Sequence, residues 1–485
     1  MADINLAAKG VFWSAIDRFA SQGCQFVLGI IIARLIDPVE YGKLAMATVL
    51  LSIAEMVVDC GFTNALIQKK DKSDSDFSTV FWTNLTVGVI VYFVLFLCAP
   101  LIASFYNIPE LTSIVKVISI SIVLYSLYII QRTRFVIAIN FKTQSFISIT
   151  AVIVSGLVGV VMAYLGYGVW ALITQSLIFS SVSLLFYWVL SKWRPSFSFS
   201  KESFKSLFGF GSKLMATGVI TTLYNNMYTI VIAKFFSAKE LGLYNRGEAF
   251  AKVPMSNITM ILARVIYPIE CEWQDNNYEL LKKYNQFLRV ISFVIFPLMF
   301  GLAVLAEPVV LAILTEKWAG SIPILQILCF VALYDPIIRL TWDIFNVKHR
   351  SDLSLLNEII NKSVAILVLV LTIQYGIRAV CFGMLLYSII NVLIMTHFTN
   401  KVLPGLTFLN VLKQIFPYLL MSLAMFFIMR FSIILIENNL LKILVGMLVG
   451  GITYITIAHL THSNELLMIK GLAYQYLSKF SKKNK

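Results

Sequence analysis

Charge is scarce in this sequence: 13% of its 485 residues are Asp, Glu, Lys or Arg, and four are histidine. No connection between its apolar runs is long enough to fold as a soluble domain. None contains a nucleotide loop, a metal-ligand cluster or a nucleophile beside its base. ATP hydrolysis and covalent catalysis therefore have no visible site, and the chain does not read as an enzyme. His349, His397, His459 and His462 fall at expected helix ends, where solvated or structural roles are the default. The six cysteines, Cys24, Cys60, Cys98, Cys271, Cys329 and Cys381, show no paired spacing. Neither a disulfide framework nor a metal site is expected, and they read as small core residues.

Apolar residues are what fill the space. With 59% hydrophobic residues and a mean hydropathy of +0.83, the chain has more apolar surface than a soluble core can hide. Runs long enough to span about 30 Å of hydrocarbon recur along the whole length. They lie near 11–34, 43–66, 79–104, 113–131, 146–165, 169–190, 212–236, 247–269, 288–307, 321–343, 355–374, 379–399, 414–435 and 441–461. This is an all-α polytopic membrane pattern of about fourteen helices; a membrane barrel would alternate in segments of about ten residues. The first run is interrupted by Asp17 and Arg18 and outlasts a signal-peptide core, so it reads as a retained helix.

Basic residues orient the spans. One set of loops holds Lys69, Lys70, Lys72, Arg132, Arg134, Lys142, Lys192, Arg194, Lys201, Lys205, Lys282, Lys283, Lys348 and Arg350, whereas 105–111 and 165–168 hold no Lys or Arg. Positive charge stays inside, so a multi-pass chain with both termini in the cytoplasm is expected. Much of the net charge of +14 is then a topology signal and needs no nucleic-acid partner. The basic tail beyond Lys470 reads as a solvated end, with anionic headgroups as its alternative contact.

The segment IIIARLIDPVEYGKL, Ile30 to Leu44, returns as IVIAKFFSAKELGLY, Ile230 to Tyr244, at a constant offset of 200. That offset fits two homologous halves of six helices each. An even helix number makes them parallel, with a pseudo-twofold along the membrane normal. The expected organisation is a lobe at 1–190, a linker with an interfacial helix at 191–211, and a second lobe at 212–400. Helices 13 and 14 follow at 401–462, then a basic tail at 463–485. In the linker, Phe204, Leu207 and Phe208 share a helical face.

Charge inside a spanning helix costs a few kcal/mol unless it faces protein or water, so such residues are the site candidates. They are Asp17 and Arg18 in helix 1, Glu55 and Asp59 in helix 2, Arg264 in helix 8, and Asp335, Arg339 and Asp343 in helix 10. Glu55 and Asp59 share one face, and Asp335, Arg339 and Asp343 form an acid, base, acid ladder at steps of four. Pro336 is expected to kink helix 10 beside the first acid. Counted at about 1.5 Å per residue, these groups lie toward the cytoplasmic side. Interlobe ion pairs and snorkelling are their structural alternatives, and Asn225 and Asn226 read as interhelical hydrogen-bond partners.

DPVEYGKLAMATVL, DCGFTNALIQKK, STVFWTNL, GYGVWAL and WRP at 193–195, continuing through ELGLYNRGEAF, RVIYP and EKWAGSIPILQIL, resemble the polysaccharide-transport family of the MATE-like MOP superfamily. The likeness covers most of the chain and is nearest the Wzx-type branch that includes the colanic acid exporter. It implies a flippase of the bacterial inner membrane that moves undecaprenyl-pyrophosphate-linked oligosaccharide units for surface polysaccharide, with two lobes around a cavity. It also implies membrane lipids, a glycan polymerase and glycosyltransferases as surroundings, and no cofactor beyond a coupling H+ or Na+. In a related flippase of lipid-linked peptidoglycan precursors, cavity arginines come from helices 1, 2 and 8. Arg18 and Arg264 match the first and third, and Arg339 is a further pyrophosphate candidate. Helix 2 departs from that pattern with Glu55 and Asp59, which join Asp17, Asp335 and Asp343 as ion-coupling or gating candidates. The alternatives are a cation-coupled drug exporter of the same architecture and a membrane-embedded glycan polymerase or ligase.

Overall fold

The computed structural model describes residues 20–467, apart from the side chains of 256–265. It is helical throughout these residues and divides into two compact units, 1–242 and 243–485. Eleven helices are long and apolar enough to cross a membrane among the described residues. Three of the fourteen expected segments fall short of that measure. The helix α1 is described over Ala20–Leu35 only, and the seventh segment is divided at Asn226 into α9 and α10, Lys201–Asn225 and Met227–Phe235. The eighth, α11, Ala238–Glu272, includes the stretch 256–265 whose side chains lie outside the described residues.

The distribution of side chains is that of a protein solvated by lipid. Leu97, Leu101 and Leu435 are 73%, 69% and 92% exposed, while Asn84, Ser78 and Gln131 are fully buried. Polar groups avoid the hydrocarbon side because nothing there accepts their hydrogen bonds.

In the first unit, α2 (Pro38–Asp59) starts at a proline that needs no amide partner and ends on two successive left-handed residues, Cys60 and Gly61. The chain thereby turns at once into α3 (Phe62–Gln68). The long α4 (Asp74–Tyr106) is opened by a capping box of Ser73 and Asp76. The short α5 (Leu111–Ile118) runs into α6 (Ile120–Ile137), and α7 (Phe141–Tyr164) and α8 (Val169–Leu190) complete the bundle. Phe62, Phe77, Phe81 and Trp193 form its aromatic core, and the Phe204/Phe208 face of α9 packs on Phe62 at 6.1 and 6.2 Å. The two copies of the repeated segment cross reciprocally here. A Cβ at position 42 would lie 1.8 Å from the carbonyl oxygen of Ala238, and one at position 242 would lie 1.9 Å from that of Pro38. Only glycine fits either place.

In the second unit, α12 (Asn277–Ile313) is the axis, packed by α13 (Ile322–Ala332), α17 (Phe408–Ile433) and α18 (Asn439–Leu460). The helices α14 (Asp335–Val347), α15 (Ser351–Thr372) and α16 (Ile377–Asn400) form a second group around Phe345, Met395 and Phe398. Pro336 does not kink a continuous helix. It stands in the first turn of α14, after a break at Leu333 and Tyr334, where proline's missing amide costs nothing.

Candidate functional site

Each unit contains a polar cluster assembled from helix ends. In the first, Glu55 and Asp59 stand one turn apart at the end of α2, Glu55 exposed and Asp59 half-buried. Asp59 accepts hydrogen bonds from the backbone amide and hydroxyl of Thr63, so it caps α3; Thr63 in turn reaches Thr133 of α6 at 3.3 Å. The charge that answers the two acids is Arg132 of α6, which acts electrostatically on both. Its guanidinium lines a cavity of about 150 Å³ with Tyr128, Gln144, Ser148, Ser183 and Tyr187. The rings of Tyr128 and Tyr187 stack at 5.4 Å and form one wall. One guanidinium among hydroxyls and an amide is a set of donors suited to a phosphate oxygen.

In the second unit, the helix-10 ladder is divided between two neighbourhoods. Arg339 pairs with Asp343 at 3.1 Å. Asp335, exposed in the first turn of α14, instead feels Lys252 and Glu248 of α11, themselves bridged at 2.8 Å. Glu270, near the end of α11, is fully buried close to Asp343. A separate cavity of about 530 Å³ is lined by Arg289, Tyr418, His462 and Glu465, with Arg289 held by Glu465 at 3.2 Å and by Gln414 at 3.1 Å.

Between α12, α17 and α18 runs an apolar groove of about 580 Å³. Its walls include Leu298, Leu302, Met425, Met447 and Ile455, and among the described residues no lining side chain is charged. Glycines make it deep. A Cβ at 446 would meet Leu305 at 2.7 Å and one at 450 would meet Met429 at 2.4 Å, so both permit close helix packing, while Gly451 faces open space.

Among the expected residues, Asp17 and Arg18 lie outside the described residues, as does the side chain of Arg264. The structure brings Glu55 and Asp59 together, and Arg339 with Asp343. Sequence reasoning missed Arg132, Glu270 and Arg289. Arg132 falls in an expected loop, yet α6 continues to Ile137; Glu270 falls one residue past the expected end of helix 8, yet α11 continues to Glu272. A helix-continuation test through RTR and IECE, which contain no proline or glycine, is the signal that finds both.

A family model described as polysaccharide biosynthesis protein matches residues 31–323. The chain is 29% identical over 389 residues to the lipopolysaccharide biosynthesis protein WzxC of Escherichia coli (strain K12), covering 80% of this chain and 79% of that one. It is 27% identical over 354 residues to the teichuronic acid biosynthesis protein TuaB of Bacillus subtilis (strain 168), covering 71% and 72%. Its fold matches that of the lipid II flippase MurJ, inward closed conformation, with a TM-score of 0.73 at 15% identity over 93% of this chain and 99% of that one. An all-helical, multi-pass membrane fold and the family match over more than half of the sequence agree: the chain belongs to the polysaccharide biosynthesis family, whose members are transporters and flippases for surface polysaccharides rather than enzymes.

Proposed function

We propose that this protein moves undecaprenyl-pyrophosphate-linked oligosaccharide units from the cytoplasmic to the periplasmic leaflet of a bacterial inner membrane, as a member of the Wzx-type branch. Both termini are cytoplasmic on this reading. Fourteen helices form two lobes of six related about the membrane normal, plus two more. The reciprocal crossing of Gly42 and Gly242, at the offset of the sequence repeat, supports the duplication.

The observation that carries the reading is the uncharged groove between α12, α17 and α18. A polyisoprenoid chain is already dissolved in bilayer hydrocarbon, so a groove holds it by van der Waals packing and shape, and a glycine-lined apolar channel offers that contact without polar groups to desolvate. Helices α17 and α18 then have a task outside the sequence duplication. The pyrophosphate is held by arginines, with Arg18, Arg264 and Arg339 as candidates and Arg132 added to them. Asp17, Glu55, Asp59, Asp335 and Asp343 are the gating and ion-coupling candidates, and alternating access is driven by an ion gradient.

The test is flipping of defined undecaprenyl-pyrophosphate-linked saccharides in proteoliposomes. Gly451→Trp and Gly301→Leu narrow the groove where a Cβ meets nothing closer than 3.9 Å. Both variants are expected to insert normally and to lose flipping. Full activity in both rejects the groove as the lipid-chain path.

A further inference from the structure

A carboxylate removed from water without a partner is among the most costly groups a fold can hold, and Glu270 is one. It is fully buried, and among the described residues neither of its oxygens has a hydrogen-bond partner. It lies two residues before the end of α11, and Asp343, 3% exposed, lies four residues before the end of α14. Those two helix ends are fastened together. Lys348, directly after α14, donates to the backbone carbonyl of Gln274 in the turn after α11, and to Asn277 at 2.6 Å. Tyr284 of α12 and Thr341 of α14 share a hydrogen bond of 2.8 Å in the same region.

Asp343 acts on Glu270 from α14, Tyr284 feels it from α12, and Tyr267, beside Cys271, feels it along α11. Among the described residues, the cation paired with this group is Arg339, 3.1 Å from Asp343. One guanidinium neutralises one carboxylate. A second negative charge would stand in a dry site beside the first, at helix C-termini whose dipoles present partial negative charge. A metal cation would ask for about six oxygen ligands, and among the described residues no third His, Cys, Asp or Glu joins the pair.

We propose that Glu270 holds one exchangeable proton beside Asp343 and is the proton-carrying site of the second unit. When the ends of α11 and α14 part and water enters, the carboxyl O–H bond breaks and the proton passes to water; on closing, a proton from water restores it. Its role in transport rests on the flippase reading above, whereas the presence of the proton does not.

The full-length protein in liposomes is examined by infrared spectroscopy as pH is stepped from neutral to alkaline, with glutamate and aspartate carbon-13 labelled in separate samples. A protonated-carboxyl band is expected at neutral pH. It shifts with one of the labels, fades reversibly on alkalinisation and is missing in Glu270→Gln. Absence of any label-sensitive band, or its persistence in Glu270→Gln, overturns the proposal. So does its removal by sodium at constant pH, which makes the pair a metal-cation site. The labelled wild-type protein decides the matter even if the variant does not insert. In the same liposomes, loss of proton-gradient dependence of flipping in Glu270→Gln is expected, and unchanged dependence overturns the coupling role. A protein that shows the band but flips no lipid-linked saccharide instead refutes the transport reading alone.

Discussion

Each unit gathers two acids and one arginine, but the two clusters hold their charge by different means. In the first unit, Glu55 is exposed, Asp59 is half-buried and bonded to Thr63, and Arg132 answers both across space. In the second, Glu270 and Asp343 are 0% and 3% exposed, and one arginine is paired with only one of them. Water and hydroxyls can solvate a carboxylate wherever they reach it. Where they cannot, its charge must be paired or removed by a proton. The same three side chains therefore make an adaptable anion site in one unit and a proton site in the other.

Removing the arginines breaks this comparison most sharply. Arg339→Gln leaves Asp343 buried without its counter-charge and is expected to cost about 3 kcal/mol, read as lowered thermal stability in detergent. Combining it with Asp343→Asn is expected to recover most of that loss, since the pair then needs no charge. If the double variant is as unstable as the single, burial of the carboxylate is not the cause.

A smaller effect is expected at Asp59. Asp59→Ala removes the cap of α3 and should cost about 1 kcal/mol, with Asp59→Asn costing less because an amide oxygen still accepts from Thr63. Hydrogen exchange confined to the turn at Cys60–Thr63 is the local signature. Equal exchange in wild type and variant would show that Asp59 does not hold this turn.

The smallest stability change is expected at Arg132. Its acids are solvated or hydroxyl-bonded, so Arg132→Gln should alter stability by no more than about 0.5 kcal/mol. Flipping of a pyrophosphate-linked saccharide should nonetheless fall about tenfold, with Arg132→Lys partly active because it keeps the charge but not the planar fork. Normal flipping in Arg132→Gln removes the residue from the substrate path. Destabilisation equal to that of Arg339→Gln erases the contrast between the units.

The sequence by itself determined the class and family of this protein. Apolar runs at the length of a bilayer leave no other solvent for the chain, and unbroken runs satisfy their backbone groups as helices, where a barrel would show short alternating segments. The motif order from DPVEYGKL to EKWAGSIPILQIL carried the family, which the family match over residues 31–323 shows. Spacing along one helix also found Arg339 and Asp343, because neighbours at four residues share a face whatever surrounds them. It did not separate Asp335 from that ladder. The break before Pro336 puts this acid in a helix's first turn, near charges on α11 that no count along helix 10 contains. Arg132, Glu270 and the apolar groove were decided by tertiary structure alone. Each depends on where a helix stops and on which other helix lies against it, and both follow from packing among residues far apart in sequence, up to 161 positions for Tyr454 and Phe293. Even the repeat, plain in the sequence, did not reveal that its two copies meet at Gly42 and Gly242, because the reason for glycine there is a carbonyl oxygen supplied by the other copy.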